Sequence, residues 1–119
     1  MSAQHDLNIT LAGWSTLTHE YRLQAPKAAT AAAKSRSARA REIRTLLIED
    51  PKMAIGRAEY LADGSEDVEA MLLERLVADA VIDAMKQRLK WFEAETDRLR
   101  SLVVTERAQD ALHGTYGEG

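Results

Sequence analysis

The side chains best placed to do chemistry in this chain are cations at regular helical spacing. Lys27, Lys34 and Arg41 recur every seven residues. At 100° per residue they superimpose within about 40° on a helical wheel, and Arg44 lies near them. We call these four residues the basic stripe, which would extend about 25 Å along a helix. Cations in such a row bind phosphates by charge alone, so the stripe predicts contact with a nucleic-acid backbone.

The same cations also have plainer interpretations. Lys and Arg often only solvate an exposed helix face, or they pair weakly with carboxylates of their own protein. Arg36 and Arg39 differ from the stripe because they fall nearer the apolar side of the wheel. We expect these two side chains to reach acidic residues at a subunit interface, or to extend around a docked helix.

Charge is strongly segregated along the chain. Residues 27–44 contain six basic side chains and one acidic side chain, a net charge of +5. The remaining residues contain ten basic and eighteen acidic side chains, a net charge of −8, so the protein as a whole carries −3. A basic segment on an acidic body can bind either a polyanion or an acidic protein surface.

Residue types that support catalysis or metal binding have no useful arrangement. Cysteine is absent, which removes disulfides, thiol catalysis and cysteine metal sites. His5, His19 and His113 have no spacing typical of a metal site, and Gly56 and Gly64 lack the neighbours of a phosphate-binding loop. We therefore expect a protein that is not an enzyme and has neither a metal nor a cofactor.

Composition predicts an all-α fold. Of the 119 residues 45% are hydrophobic and only 5% are aromatic, which suits helix packing rather than a sandwich or barrel. The length favours a single domain, residues 1–119, with flexible tails at about 1–6 and 113–119. The chain has no long apolar run and no basic-then-apolar start, so we expect a cytoplasmic protein.

The first half of the chain predicts helices that carry the stripe. A helix starting near Asp6 or Asn8 is predicted, then an alanine-rich helix to Glu49, and Pro26 either kinks the chain or starts the second of these. The dipeptide Asp50-Pro51 predicts an N-cap and the first position of a short helix that ends near Ala62. One apolar stripe marks the first helix and comprises Leu7, Leu11, Trp14, Leu17 and Tyr21. Its aromatic residues, Trp14 and Tyr21, are expected in the core rather than as base-stacking platforms.

The second half predicts one long helix. After the turn Asp63-Gly64-Ser65, where Ser65 is placed to cap, nothing interrupts a helix from Glu66 to about Leu112, and His113 with Gly114 would end it. Its steps of three and four residues are typical of a coiled-coil seam. The seam comprises Val68, Met71, Arg75, Ala78, Ile82, Met85, Leu89, Phe92, Thr96, Leu99 and Val103.

The apolar surface of this helix is wider than one partner helix needs, which predicts a homo-oligomer. The widening lies in the N-terminal half, which we expect its own domain or other subunits to surround. Trp91 lies off the seam, on a second line with Ala84 and Leu102. The residues predicted at the oligomer interface are Arg36, Arg39, Ile82, Met85, Leu89, Trp91, Phe92 and Leu99.

The layout of residues 7–107 resembles the UvsY-like recombination mediators of tailed phages. An amphipathic helix (Trp14 to Tyr21) precedes a basic helix (Lys27 to Arg44), a polar turn (Asp63-Gly64-Ser65-Glu66-Asp67), and a long helix with the late segment Asp97-Arg98-Leu99-Arg100-Ser101. The resemblance implies a ring-forming, single-stranded-DNA-binding protein in the host cytoplasm that helps load a RecA-like recombinase in the presence of a single-strand-binding protein.

Two other classes of function fit the same sequence. The first is a helical adaptor or inhibitor, or a phage assembly chaperone, whose basic helix docks onto an acidic protein surface. The second is a structural coiled-coil subunit of a virion.

Overall fold

The fold consists of three helices in the computed structural model, which describes residues 2–117 and the side chains up to residue 114. They are α1 (Ala3–Glu49), α2 (Ile55–Asp63) and α3 (Glu66–Gly117). The prediction of an all-α fold is confirmed. The helices build two compact units: unit 1 contains residues 1–21 and 84–119, and unit 2 contains residues 22–83.

Helix α1 begins earlier than predicted. The N–H of His5 donates to Oγ of Ser2 at 3.2 Å, which caps the first turn. The N–H of Ala3 donates to a carboxylate oxygen of Glu106 at 3.1 Å, and Ala3 itself is buried. Residues 3–6 are therefore helical, and residue 1 lies outside the described residues.

Pro26 lies inside α1, which continues to Glu49 without a break. Of the two alternatives, the structure therefore excludes a separate helix starting at Pro26. Pro26 has no N–H, so one helical hydrogen bond is missing at this point. The alanine-rich sequence that follows has a high intrinsic helix propensity, which allows the helix to continue.

The prediction of a helix starting at Asp50-Pro51 is wrong. The carboxylate of Asp50 accepts from the N–H of Lys52 at 3.2 Å, and its carbonyl accepts from the N–H of Met53 at 3.0 Å. These two bonds form a turn, and α2 starts only after Ala54, whose backbone is extended. The same side-chain bond stabilises either a helix cap or a turn, so the local sequence does not separate the two.

The start of α3 agrees with the prediction, but its end does not. The N–H of Val68 donates to Oγ of Ser65 at 3.4 Å, as a capping serine should accept it. His113 and Gly114 do not end the helix, which continues to Gly117. The fraying expected at the C-terminus falls partly on residues 118–119, which lie outside the described residues.

The predicted seam of α3 is the buried side of that helix. Six of its members are buried, five are half-buried, and none is exposed. In unit 1 the seam residues Leu99 and Val103 cluster with Ala3 and Leu7 of α1. The hydroxyl of Thr96 is fully buried there and has no hydrogen-bond partner, which costs free energy of folding.

Unit 2 has a core of small and aliphatic side chains. Ala58 and Ala62 of α2 have no exposed surface, and Val68 and Ile82 of α3 are buried in the same unit. Ala28 and Ser35 of α1 are also buried, and they mark the inner face of this helix. Because α1 is anchored by this inner face, its opposite face remains available to solvent.

Candidate nucleic-acid interface

The basic stripe lies entirely on the second part of α1, in unit 2. Lys27, Lys34, Arg41 and Arg44 are all exposed. The buried positions Ala28 and Ser35 directly follow Lys27 and Lys34 and lie about 100° from them around the helix. The geometry therefore places four cations on the solvent side of one continuous helix.

None of the four stripe residues is in an ion pair. Four ion pairs are present in the described part of the chain, and all involve Arg39, Arg75 or Arg98. The interpretation in which the stripe neutralises carboxylates of its own chain therefore finds no ion pair within residues 2–114. The charge of the stripe remains available to a ligand.

One carboxylate lies in the neighbourhood of the stripe. Glu74 of α3 lines a groove together with Lys27 and Lys34 of α1, without approaching either closely enough for an ion pair. Glu42 is the single acid within residues 27–44, and it is half-buried. The local field along the stripe is therefore positive, and it is reduced near Glu74.

Arg39 has a structural role within the chain. Its Nε donates to Oδ1 of Asp63 at 2.7 Å, and its Nη2 lies 4.0 Å from Oε2 of Glu59. The hydrogen bond to Asp63 and the nearby carboxylates raise the pKa of Arg39 above its usual value. The acids that Arg39 was expected to meet at a subunit interface therefore belong to α2 of the same chain.

Arg36 has no ion pair and is exposed. In its exposure and its lack of an ion pair, Arg36 resembles the stripe residues and differs from Arg39, although the sequence predicted the same role for Arg36 and Arg39. The difference follows from the position of α2, which supplies acids to Arg39. No periodicity in α1 indicates where α2 packs.

Most residues predicted at an oligomer interface lie in the interior of the chain. Ile82, Phe92 and Leu99 are buried, and Met85 and Leu89 are half-buried. The chain itself therefore covers Ile82, Phe92 and Leu99, whereas the oligomer interface stays a prediction, because a seam pattern does not say whether the same chain or another chain fills it. Of the apolar residues in that group, only Trp91 is exposed.

Aromatic side chains divide between core and surface. Trp14 and Tyr21 are half-buried on the inner stripe of α1, in agreement with the expectation of core positions. Tyr60 is 78% exposed on α2 and was not singled out by the sequence. The signal that could have found it is the pair Ala58 and Ala62, whose spacing marks the buried side of α2 and leaves Tyr60 facing away.

Metal-holding groups and membrane-spanning helices are absent from the described residues. Among residues 2–114, no three histidine or acidic side chains come together as a metal site would require. No helix in the described part of the chain is long and apolar enough to cross a membrane. Comparison with protein-family models, with curated proteins and with solved structures gave no match.

Proposed function

We propose that the protein binds single-stranded DNA through the basic stripe and serves homologous recombination as an accessory protein. In this proposal it is not an enzyme, and it presents the bound strand to a RecA-like recombinase in the host cytoplasm. The recombinase and a single-strand-binding protein are partners that follow from the resemblance to the UvsY-like mediators. Several copies of the protein act on one strand.

One observation supports the DNA contact above all others. The four cations of the stripe are exposed and unpaired, while Arg39 of the same helix is held by two carboxylates. A row of free cations on a continuous helix binds a flexible anionic backbone without any base-specific contact. Such binding suits a protein that must accept strands of any sequence.

The affinity expected from four cations is modest. For single strands the logarithm of the binding constant falls with the logarithm of salt concentration with a slope of about −0.7 per neutralised phosphate. Four contacts predict a slope near −3 for each subunit. Assembly of several subunits on one strand would multiply this affinity without any new contact.

The first prediction concerns charge reversal in the stripe. The double variant K34E/R41E changes the charge by −4 on an exposed surface, so the fold should remain while single-strand affinity falls at least tenfold at low salt. The measurement is fluorescence anisotropy of a labelled oligothymidine and of a labelled duplex at two salt concentrations. Circular dichroism checks that the fold is intact.

The matched control is K86E/K90E. Both lysines are exposed on α3, neither is in an ion pair, and the charge change is again −4. This variant should retain most of the affinity and the wild-type salt slope. Equal losses of single-strand affinity in the two variants would show that only the overall charge of the protein matters. The stripe would then no longer be assigned as the DNA-binding site.

A protein-binding adaptor is the second candidate. Its support is the groove lined by Lys27, Lys34 and Glu74, in which one carboxylate shares a surface with two cations of the stripe. Normal DNA binding by K34E/R41E, together with stable capture of one acidic protein by the wild type alone, would favour the adaptor.

A further inference from the structure

The surface of α3 in unit 2 carries an apolar face that the chain leaves uncovered. Its five large side chains are between 42% and 63% exposed. We call them the apolar face, and they are Leu72, Leu73, Leu76, Val77 and Val81. Soluble monomers seldom expose large contiguous apolar surface, so a face of this kind marks a contact site.

The face has relief that suits an inserted side chain. Leu73 lies between two grooves, one of about 450 Å³ that also contacts Val77, Val81 and Ala28, and one of about 430 Å³ that also contacts Leu72 and Leu76. The two grooves beside this ridge can accept side chains that are spaced three and four residues apart on an incoming helix. The distance from Leu72 to Val81 corresponds to about 14 Å, or two to three turns of such a helix.

The charge around the face selects the partner. Residues 66–83 contain six acidic side chains and one basic side chain, a net charge of −5. Arg75 pairs with Asp79, which leaves the other five acids exposed and without an ion pair: Glu66, Asp67, Glu69, Glu74 and Asp83. Glu74 and Lys27 line the first groove and Glu66 and Glu69 line the second, so three acids meet a single cation at the two grooves.

A second copy of this chain does not fit the apolar face well. Packing α3 against α3 would bring the acidic borders of both copies together, which costs free energy by like-charge repulsion. The exposed side of α1, although basic, offers mostly small side chains such as Thr30, Ala33 and Ala40. Its large exposed apolar residues in unit 2 are Leu23 and Ile48, which lie 25 positions, about 37 Å, apart along the helix and cannot fill two adjacent grooves together.

We propose that the apolar face of α3 binds a cationic amphipathic helix of a partner protein. The apolar side of that helix packs over Leu73 and into the two grooves. Its lysines or arginines lie beside Glu66, Glu69 and Asp83. The contact lies on α3 and shares only Lys27, at the rim of the first groove, with the basic stripe, so the inference does not depend on the proposed DNA binding.

The test uses a synthetic helix as the probe. A labelled peptide of about 18 residues, five turns, is built from Leu and Lys so that the leucines form one face. One comparison peptide replaces every Lys by Glu, and another has the same composition as the first in an order without an apolar face. The protein should bind the amphipathic cationic peptide at least tenfold more tightly than either comparison peptide.

Variants of the protein separate the apolar and the charge contributions. L73S/V77S should weaken binding at least tenfold, and E66K/E69K should remove the preference for the cationic peptide. The matched control L112S replaces another exposed leucine of α3 outside the face and should bind as the wild type does. Circular dichroism confirms the fold of each variant.

Two results would overturn the inference. The first is equal binding of the amphipathic and the reordered cationic peptides, which would mean that only general charge attraction acts. Absence of any peptide binding would contradict the site in the same way. The second is a wild-type oligomer that L73S/V77S reduces to a monomer by light scattering, because the face would then bind another copy of the chain. Oligothymidine binding measured on L73S/V77S should be unchanged, which distinguishes this site from the stripe.

Discussion

One tight contact in unit 1 depends on a glycine. A Cβ atom at Gly13 of α1 would lie 2.9 Å from Cε1 and 3.0 Å from Cζ of Phe92. The ring of Phe92 is buried, and its edge meets the exposed ring of Trp91 with centroids 5.1 Å apart. Gly13 is unfavourable for the helix by itself, so its value lies in the space that it leaves for this ring.

Replacement of Gly13 by Ala should therefore destabilise the protein. Overpacking in a core typically costs about 1–3 kcal/mol, which exceeds the gain of at most about 1 kcal/mol in helix propensity. We expect the free energy of unfolding in urea to fall by about 1 kcal/mol. Calorimetry should show a lower melting temperature.

The control for this effect is Gly56→Ala in α2. A Cβ atom at Gly56 would meet no atom within 4 Å, so this change should be neutral or slightly stabilising. In a Phe92→Leu background, the cost of Gly13→Ala should shrink, since the ring that causes it is gone. If Gly13→Ala is as well tolerated as Gly56→Ala, the contact with Phe92 is not tight in solution.

At the level of the helices, periodic patterns were the reliable part of the sequence. The seam of α3 repeats over many turns, and each repeat adds to the evidence that this side is buried. The exposure of Lys34 and Arg41 follows from the same argument, because they lie about 100–140° around the helix from the small buried residues Ala28 and Ser35. A single local signal such as Asp50-Pro51 has no such repetition, and it was misread.

Contacts between helices were not predictable in the same way. The pairing of Arg39 with Asp63 depends on where α2 packs, which no pattern within α1 reports. Likewise, the burial of Ile82 by its own chain depends on how the chain folds back. Sequence periodicity identifies a buried face but not the surface that covers it.

Pro26 offers a test of the continuity of α1. A proline in a helix interior removes one backbone hydrogen bond and disfavours the helix by about 3 kcal/mol relative to Ala. Because Pro26 lies within α1, Pro26→Ala should raise the free energy of unfolding by about 2 kcal/mol, measured in urea.

Pro51→Ala provides the comparison for Pro26→Ala. Pro51 lies in the turn between α1 and α2, where no helical hydrogen bond is restored by an alanine. This change should leave stability unaltered or lower it slightly, because proline restricts the unfolded chain. Similar effects of the two substitutions would mean that α1 is interrupted near Pro26 in solution.

Across the whole molecule, charge is separated between helices rather than paired. The basic segment 27–44 and the acidic segment 66–83 both lie in unit 2, and each carries five net charges. Only Arg39 and Arg75 form ion pairs in that unit. Two oppositely charged and mostly unpaired surfaces suit two different ligands, a polyanion and a cationic helix.

Self-association is the remaining expectation at this scale, and unit 1 offers the surface for it. Trp91 and Leu102 of α3 are 58% and 40% exposed, and their spacing places them on one line of the helix. Aromatic side chains in exposed positions are frequent anchors of protein interfaces. We therefore expect the protein to be a homo-oligomer in dilute solution, with Trp91 as an anchor.

The double variant W91A/L102A should reduce the oligomer to smaller species in light scattering at micromolar concentration. Loss of the edge contact between Trp91 and Phe92 costs only about 1 kcal/mol, so the monomer should remain folded. Single-strand affinity should fall as well, although no cation is changed, because separate subunits lose the gain from binding one strand together.

Ile48→Ala, at an exposed position of α1, should alter neither mass nor affinity. A wild-type monomer would contradict the assembly, and a W91A/L102A monomer with full DNA affinity would show that the stripe of a single chain suffices.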